Sequence, residues 1–98
     1  MDLFSKQIWE EITITGEFEN VMSDSETLEA TSTVVAEDKD GTDVTAIVLG
    51  TVTINTQNIT VLTKAGTESA SPYKITFKAI TNSNNRWELD LLMYIKEI

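Results

Sequence analysis

From Tyr73 to Thr81 the side chains alternate between apolar and polar almost without interruption. Tyr73, Ile75, Phe77 and Ala79 fall on one side, Lys74, Thr76 and Lys78 on the other, and only Ile80 breaks the rule. A period of two belongs to a strand with one buried face, not to a helix. The same period returns near the end, where Trp87, Leu89, Leu91, Met93 and Ile95 oppose Glu88, Asp90, Leu92, Tyr94 and Lys96. Residue choice agrees: 15 Thr, 10 Ile and 7 Val make about a third of the 98 residues β-branched. Such side chains lose rotamer freedom on a helix and pack well on a pleated sheet.

The two segments predict a hairpin. An odd number of loop residues keeps both apolar faces on one side, because a one-residue slip inverts the pattern. Pairing Thr81 with Trp87 across Asn82–Arg86 sets Ala79 against Leu89, Phe77 against Leu91 and Ile75 against Met93. It also sets Lys78 against Asp90, an attractive cross-strand pair.

Upstream, Val44–Leu49, Thr51–Ile54 and Ile59–Lys64 read as short strands, with turns at Gly50, Asn55–Asn58 and Ala65–Thr67. Thr27–Ala36 and Glu11–Thr15 are also β-rich, and Gly16 follows the latter. Six or seven short strands at close spacing predict an all-β sandwich. The first ten residues fit either a Phe4–Ile8–Ile12 helical stripe or a lead into the first strand, and are expected as a loosely packed or mobile arm. A chain of 98 residues suits one domain with one modest core.

Composition narrows the chemistry. With no Cys, thiolate zinc sites, disulfides and cysteine nucleophiles are excluded. With no His, the commonest general base and transition-metal ligand is missing. A net charge of −9 disfavours nucleic acid, whose affinity rests on cations neutralising phosphates, and disfavours anionic membranes. No secretory signal is visible after Met1, and the longest apolar run, Ala46–Leu49, is far too short for a membrane helix. The chain is expected to be cytoplasmic, and the sequon Asn58-Ile59-Thr60 to be an ordinary strand start.

Four features invite a functional reading. The acidic run Glu37–Asp43 suggests calcium, but a helix-loop-helix site with Gly41 sixth would need ligands at Ala36 and Ile47, so an Asp-Gly turn is the better reading. Carboxylate-pair catalysis is the one hydrolytic scheme left open; the acids, however, fall at turns or on outward strand positions such as Glu88 and Asp90. Ser23, Ser25, Ser69 and Ser71 have no base in a recognisable arrangement. Trp87, in phase with Leu89 and Leu91, belongs to the core, while Trp9 is open between core and binding platform. Leu92 and Tyr94 form an apolar pair on a polar face, either a contact surface or a patch covered by the N-terminal segment.

From Glu26 onward the order of features resembles a known family. Glu26-Thr27-Leu28 opens a strand, and Ala65-Gly66-Thr67 through Tyr73-Lys74-Ile75-Thr76 enters the penultimate one. The Thr81 turn, Arg86-Trp87-Glu88 and Tyr94-Ile95-Lys96-Glu97 close the chain. This resembles the immunoglobulin-like fibre-tail adaptor, or head-tail structural, proteins of bacteriophages and prophages, over about three-quarters of the chain. Phe18–Met22 stands where that family has an Asp-Trp segment, and Glu68–Ser71 where it has a second Gly. The resemblance implies an immunoglobulin-like β-sandwich of about seven antiparallel strands. It also implies a non-enzymatic protein that assembles into a virion or phage-like particle through contacts with phage-like structural proteins or with itself. No catalytic residue, cofactor or metal is expected, and edge strands are the expected means of association, restrained by acidic residues until a partner arrives. The tyrosine corner of such sandwiches predicts that the Tyr73 hydroxyl holds down the preceding loop. The alternative is a small ligand- or carbohydrate-binding β-domain using Trp9 or the Asp38–Asp43 loop; an acid-only hydrolase is a distant third.

Overall fold

The structure, a computed structural model, describes residues 2–96. Its strands are β1 (Asp2–Lys6), β2 (Ile12–Glu17), β3 (Thr33–Glu37), β4 (Leu49–Ile54), β5 (Asn58–Thr63), β6 (Tyr73–Ile80) and β7 (Arg86–Ile95), with one helical turn, α1 (Thr45–Val48), before β4. They form a four-stranded sheet ordered β1-β7-β6-β3 and a three-stranded sheet ordered β2-β5-β4. The inward faces supply one core. Ala36, Ile59, Val61, Ile75, Phe77 and Met93 are fully buried, and Phe18, Met22, Val48 and Tyr73 are buried with them. Gly16 belongs to this core: a Cβ there would stand 2.7 Å from Phe77 Cγ, so the Phe77 ring occupies the space glycine leaves.

The all-β architecture agrees with the alternation, and Asn58 does begin a strand. Three expectations need correcting. The first concerns strand direction: β1 runs parallel to β7, with Leu3 beside Leu92 and Lys6 beside Ile95, so the sandwich is not wholly antiparallel. The inward positions of β1 include Phe4 and Lys6, and a lysine at a core position hides a strand from any pattern of apolar residues. Lys6 is tolerated there because its ammonium donates to the carbonyls of Gln7 at 3.2 Å and Glu10 at 2.9 Å.

The second concerns the hairpin register. Ile80 pairs with Arg86, Ala79 with Trp87, Phe77 with Leu89 and Ile75 with Leu91, one residue earlier on each strand than predicted. Both registers keep the same faces inward, so alternation does not choose between them. Thr81 does. It is 1% exposed; its N–H donates to the Asn85 carbonyl at 2.9 Å, and its hydroxyl accepts the N–H groups of Ser83 and Asn85. Thr81 is thus the first loop residue, not the last strand residue. On the outer face Lys78 lies opposite Glu88, and Lys74 Nζ stands 4.0 Å from Asp90 Oδ2.

The third concerns Val44–Leu49, predicted as a strand. Asp43 Oδ1 accepts both the N–H and the hydroxyl of Thr45, at 2.9 and 2.7 Å, and the Val48 N–H donates to the Val44 carbonyl. A local side-chain turn of this kind competes with a ladder and wins here. The strand begins at Leu49, and Gly50, read as a turn, lies inside β4 at a register shift between Leu49 and Val52. Within Thr27–Ala36 the strand begins only at Thr33, and it runs on to Glu37; Leu28 makes a single bridge, to Thr81.

Candidate interaction surface

The turn from β1 to β2 is closed at its base. Gln7 N–H donates to Glu10 Oε1 at 2.7 Å, and Glu10 N–H returns to the Gln7 carbonyl at 3.1 Å. The Lys6 ammonium spans the same two residues from below. Ile8 and Trp9 are left at the tip, where Trp9 is 93% exposed and Ile8 46%. Ile8, Trp9, Glu10, Glu11, Ile12 and Lys64 border a shallow open cleft. A tryptophan this exposed on a hydrogen-bonded turn offers a large, nearly rigid apolar face at small entropic cost.

Leu92 and Tyr94 are each half-buried, because β1 lies beside them and sets Leu3 next to Leu92 and Ser5 next to Tyr94. Leu3 itself is 64% exposed, so the N-terminal strand widens this apolar strip instead of hiding it. Trp87 packs against the core from a half-buried position opposite Ala79. Its indole N–H is buried and meets no acceptor among the described residues.

The Glu37–Asp43 run forms a turn. Asp38 Oδ1 accepts the N–H groups of Asp40 and Thr42 at 2.9 and 3.0 Å, and Gly41 takes a positive φ of 84°. The backbone N–H and the hydroxyl of Thr45 both donate to Asp43 Oδ1; the N–H first, and then the hydroxyl, lower the Asp43 pKa. Among the described residues no group of three or more acidic side chains is placed to hold a metal ion. Glu88 and Asp90 stand on the outer face of β7.

One polar centre lies outside the four features read from the residues. Glu26, read only as a strand opening, is 4% exposed. Its Oε2 accepts the Thr81 hydroxyl at 2.7 Å and Asn85 Nδ2 at 2.9 Å, and its Oε1 accepts the Ser23 N–H at 3.0 Å. These donors, Thr81 foremost, hold the carboxyl below its usual pKa. The Glu26 N–H returns to the Ser23 carbonyl. The spacing Ser23-x-x-Glu26 is that of a capping box, and is the signal that marks Glu26 as a local acceptor. The carboxylate ties the connection before β3 to the β6–β7 turn and serves structure.

Compared with known proteins, the chain matches no protein-family model and no curated protein. Among the described residues no helix is long and apolar enough to cross a membrane.

Proposed function

We propose that this chain is a non-enzymatic immunoglobulin-like module that joins parts of a phage or phage-like particle through protein–protein contacts. The observation that carries the contact role is Trp9, 93% exposed beside Ile8 on a hydrogen-bonded turn. Buried aromatic anchors dominate interface energetics, and an aromatic held in water by a closed turn is poised to become one. Two further observations support the immunoglobulin-like assignment. The strands divide into two sheets, ordered β1-β7-β6-β3 and β2-β5-β4, as a sandwich requires, and the Tyr73 hydroxyl accepts the Thr67 N–H at 2.9 Å, the contact expected of a tyrosine corner. The phage context rests on the resemblance from Glu26 onward.

The test is genetic and structural. Deleting the coding sequence from its source genome and imaging induced particles should give heads and tails that fail to join. Complete, infective particles from the deletion strain would overturn the proposal.

The exposed Trp9 also favours a second reading, a carbohydrate-binding β-domain in which the indole stacks on a sugar ring and Glu10 or Glu11 accepts from its hydroxyls. A glycan array distinguishes them: specific glycan binding that Trp9→Ser abolishes supports the second reading and counts against the first.

A further inference from the structure

The four sheet edges are not alike. On β3, the Val44 N–H donates to the Ala36 carbonyl and Thr45 Oγ1 accepts the Ala36 N–H at 2.9 Å, so the residues after β3 fold over that edge. The β4 edge is broken by the register shift between Leu49 and Val52, an irregularity that hinders pairing. Glu11 precedes β2 and Glu17 ends it. If two β2 strands paired with Thr13 opposite Thr15, Glu11 of one would face Glu17 of the other, and like charges directly opposite are destabilising.

β1 has none of these protections. Its Lys6 carbonyl accepts the Lys96 N–H at 2.9 Å, which fixes the phase of the parallel ladder. In that phase Phe4 and Lys6 direct their backbone groups toward β7, and Leu3 and Ser5 direct theirs away. β1 ends the order β1-β7-β6-β3, so among the described residues these outward groups face no further strand. Beside them lies the apolar strip of Leu3, Leu92 and Tyr94. In a chain of charge −9, β6, β7 and the residue directly after β7 carry four of the seven basic residues, Lys74, Lys78, Arg86 and Lys96, against two acids, Glu88 and Asp90.

We infer that β1 is a homotypic pairing edge: two copies of this chain join antiparallel through β1, with Leu3 of each opposite Ser5 of the other. Those two residues carry the outward N–H and C=O groups, so this register forms two hydrogen-bonded pairs about a two-fold axis. It joins two four-stranded sheets into one continuous sheet. Leu3 of one copy then meets Ser5 of the other, with Leu92 and Tyr94 in the flanking strands. The inference rests on the reading that the chain works by protein contact, and supplies the edge and the partner. An edge of five residues makes a small interface, so the dimer forms at micromolar to millimolar concentration.

Sedimentation equilibrium of the 98-residue chain from about 10 µM to about 1 mM spans that range. A monomer–dimer equilibrium is expected. Ser5→Pro removes only an outward N–H and should leave a monomer with an unchanged melting temperature, while Thr15→Pro on β2 should dimerise as the parent does. Leu3→Glu leaves the backbone intact and should weaken the dimer at least about tenfold, because it brings a carboxylate from each copy into the apolar strip, diagonal to one another on one face. The chain has no cysteine of its own, so register is read by oxidative cross-linking: a mixture of Leu3→Cys and Ser5→Cys chains should link faster than either alone. Monomers throughout the range overturn the inference, as does a dimer that survives Ser5→Pro and Leu3→Glu, or one lost on Thr15→Pro alone. A monomeric parent leaves the particle-deletion result, and with it the assembly role, to stand or fall separately.

Discussion

The hydroxyl of Tyr73 accepts the backbone N–H of Thr67 at 2.9 Å, so the first residue of β6 restrains the loop that leads into it. Tyr73 is 3% exposed, and its ring lies 3.1 Å from where a Gly66 side chain would begin. Tyr73→Phe keeps the ring and removes only the acceptor. It should cost about 1 kcal/mol, the net worth of one hydrogen bond, measured as a lower urea midpoint with an unchanged slope. An unchanged midpoint would show that water replaces the bond without loss.

Glu26 predicts how stability responds to acid. Its donors favour the carboxylate, so the folded pKa lies below that of the unfolded chain. A depressed carboxyl pKa gives stabilisation that is complete above the unfolded value of about 4.3 and is lost as pH falls through the folded pKa. The urea midpoint should therefore fall on acidification below about pH 4.3, and Glu26→Gln should make that fall shallower. Asp43 shifts in the same direction, through Thr45, so Glu26→Gln should leave part of the dependence. A profile identical to that of the parent chain would remove Glu26 from the account.

Gly16→Ala tests the contact between the sheets. The added methyl would meet Phe77 Cγ at 2.7 Å and its ring carbons at 2.8 and 3.0 Å, and Phe77 is fully buried. Overpacking of this kind costs about 1–3 kcal/mol. Phe77→Leu in the same chain should recover part of the loss relative to the sum of the two single changes, as a double-mutant cycle would show.

Trp9→Ser should leave the melting temperature within about 1 °C, because a side chain already in water contributes little to the core. Its removal should shift tryptophan fluorescence to shorter wavelength, leaving half-buried Trp87 as the emitter. A large loss of stability would place Trp9 in the fold and not in its contacts.

The Asp38–Asp43 turn should ignore calcium. Asp38 Oδ1 already accepts two backbone N–H groups, and Asp43 Oδ1 is engaged by Thr45. Amide resonances of Asp38–Asp43 should stay in place at about millimolar calcium, the range of weak extracellular sites. A saturable shift there would restore the metal reading.

What could be read from the chain depended on how each residue is held. β6 and β7 were legible because Tyr73–Ala79 and Trp87–Ile95 alternate over a buried face, and burial of one face is what alternation reports. Their register was not, since moving both strands by one residue keeps every side chain on its face; the hydrogen bonds of Thr81 decide it, and a threonine in a turn looks like any other. β1 was hidden by Lys6, whose buried ammonium is satisfied by two carbonyls that sequence does not reveal. Val44–Leu49 misled in the opposite way, with a β-branched run overruled by one carboxylate at Asp43. At the candidate surface, the outward phase of Leu92 and Tyr94 followed from their spacing. The exposure of Trp9 depends on how the Gln7–Glu10 turn closes, which no periodicity encodes.

The parallel contact between β1 and β7 joins the earliest strand of the chain to the latest. During synthesis, Asp2–Lys6 emerges long before Leu91–Ile95 exists. Three of the other pairings, β2 with β5, β4 with β5 and β3 with β6, lie between residues made earlier than β7, and β6 meets β7 as its neighbour in sequence. Until β7 is made, β1 therefore has no place in a sheet and travels as a tether. Its docking is the last ladder to close, and sets the moment at which the nascent polypeptide stops presenting an unmatched strand to the ribosome surface and to chaperones.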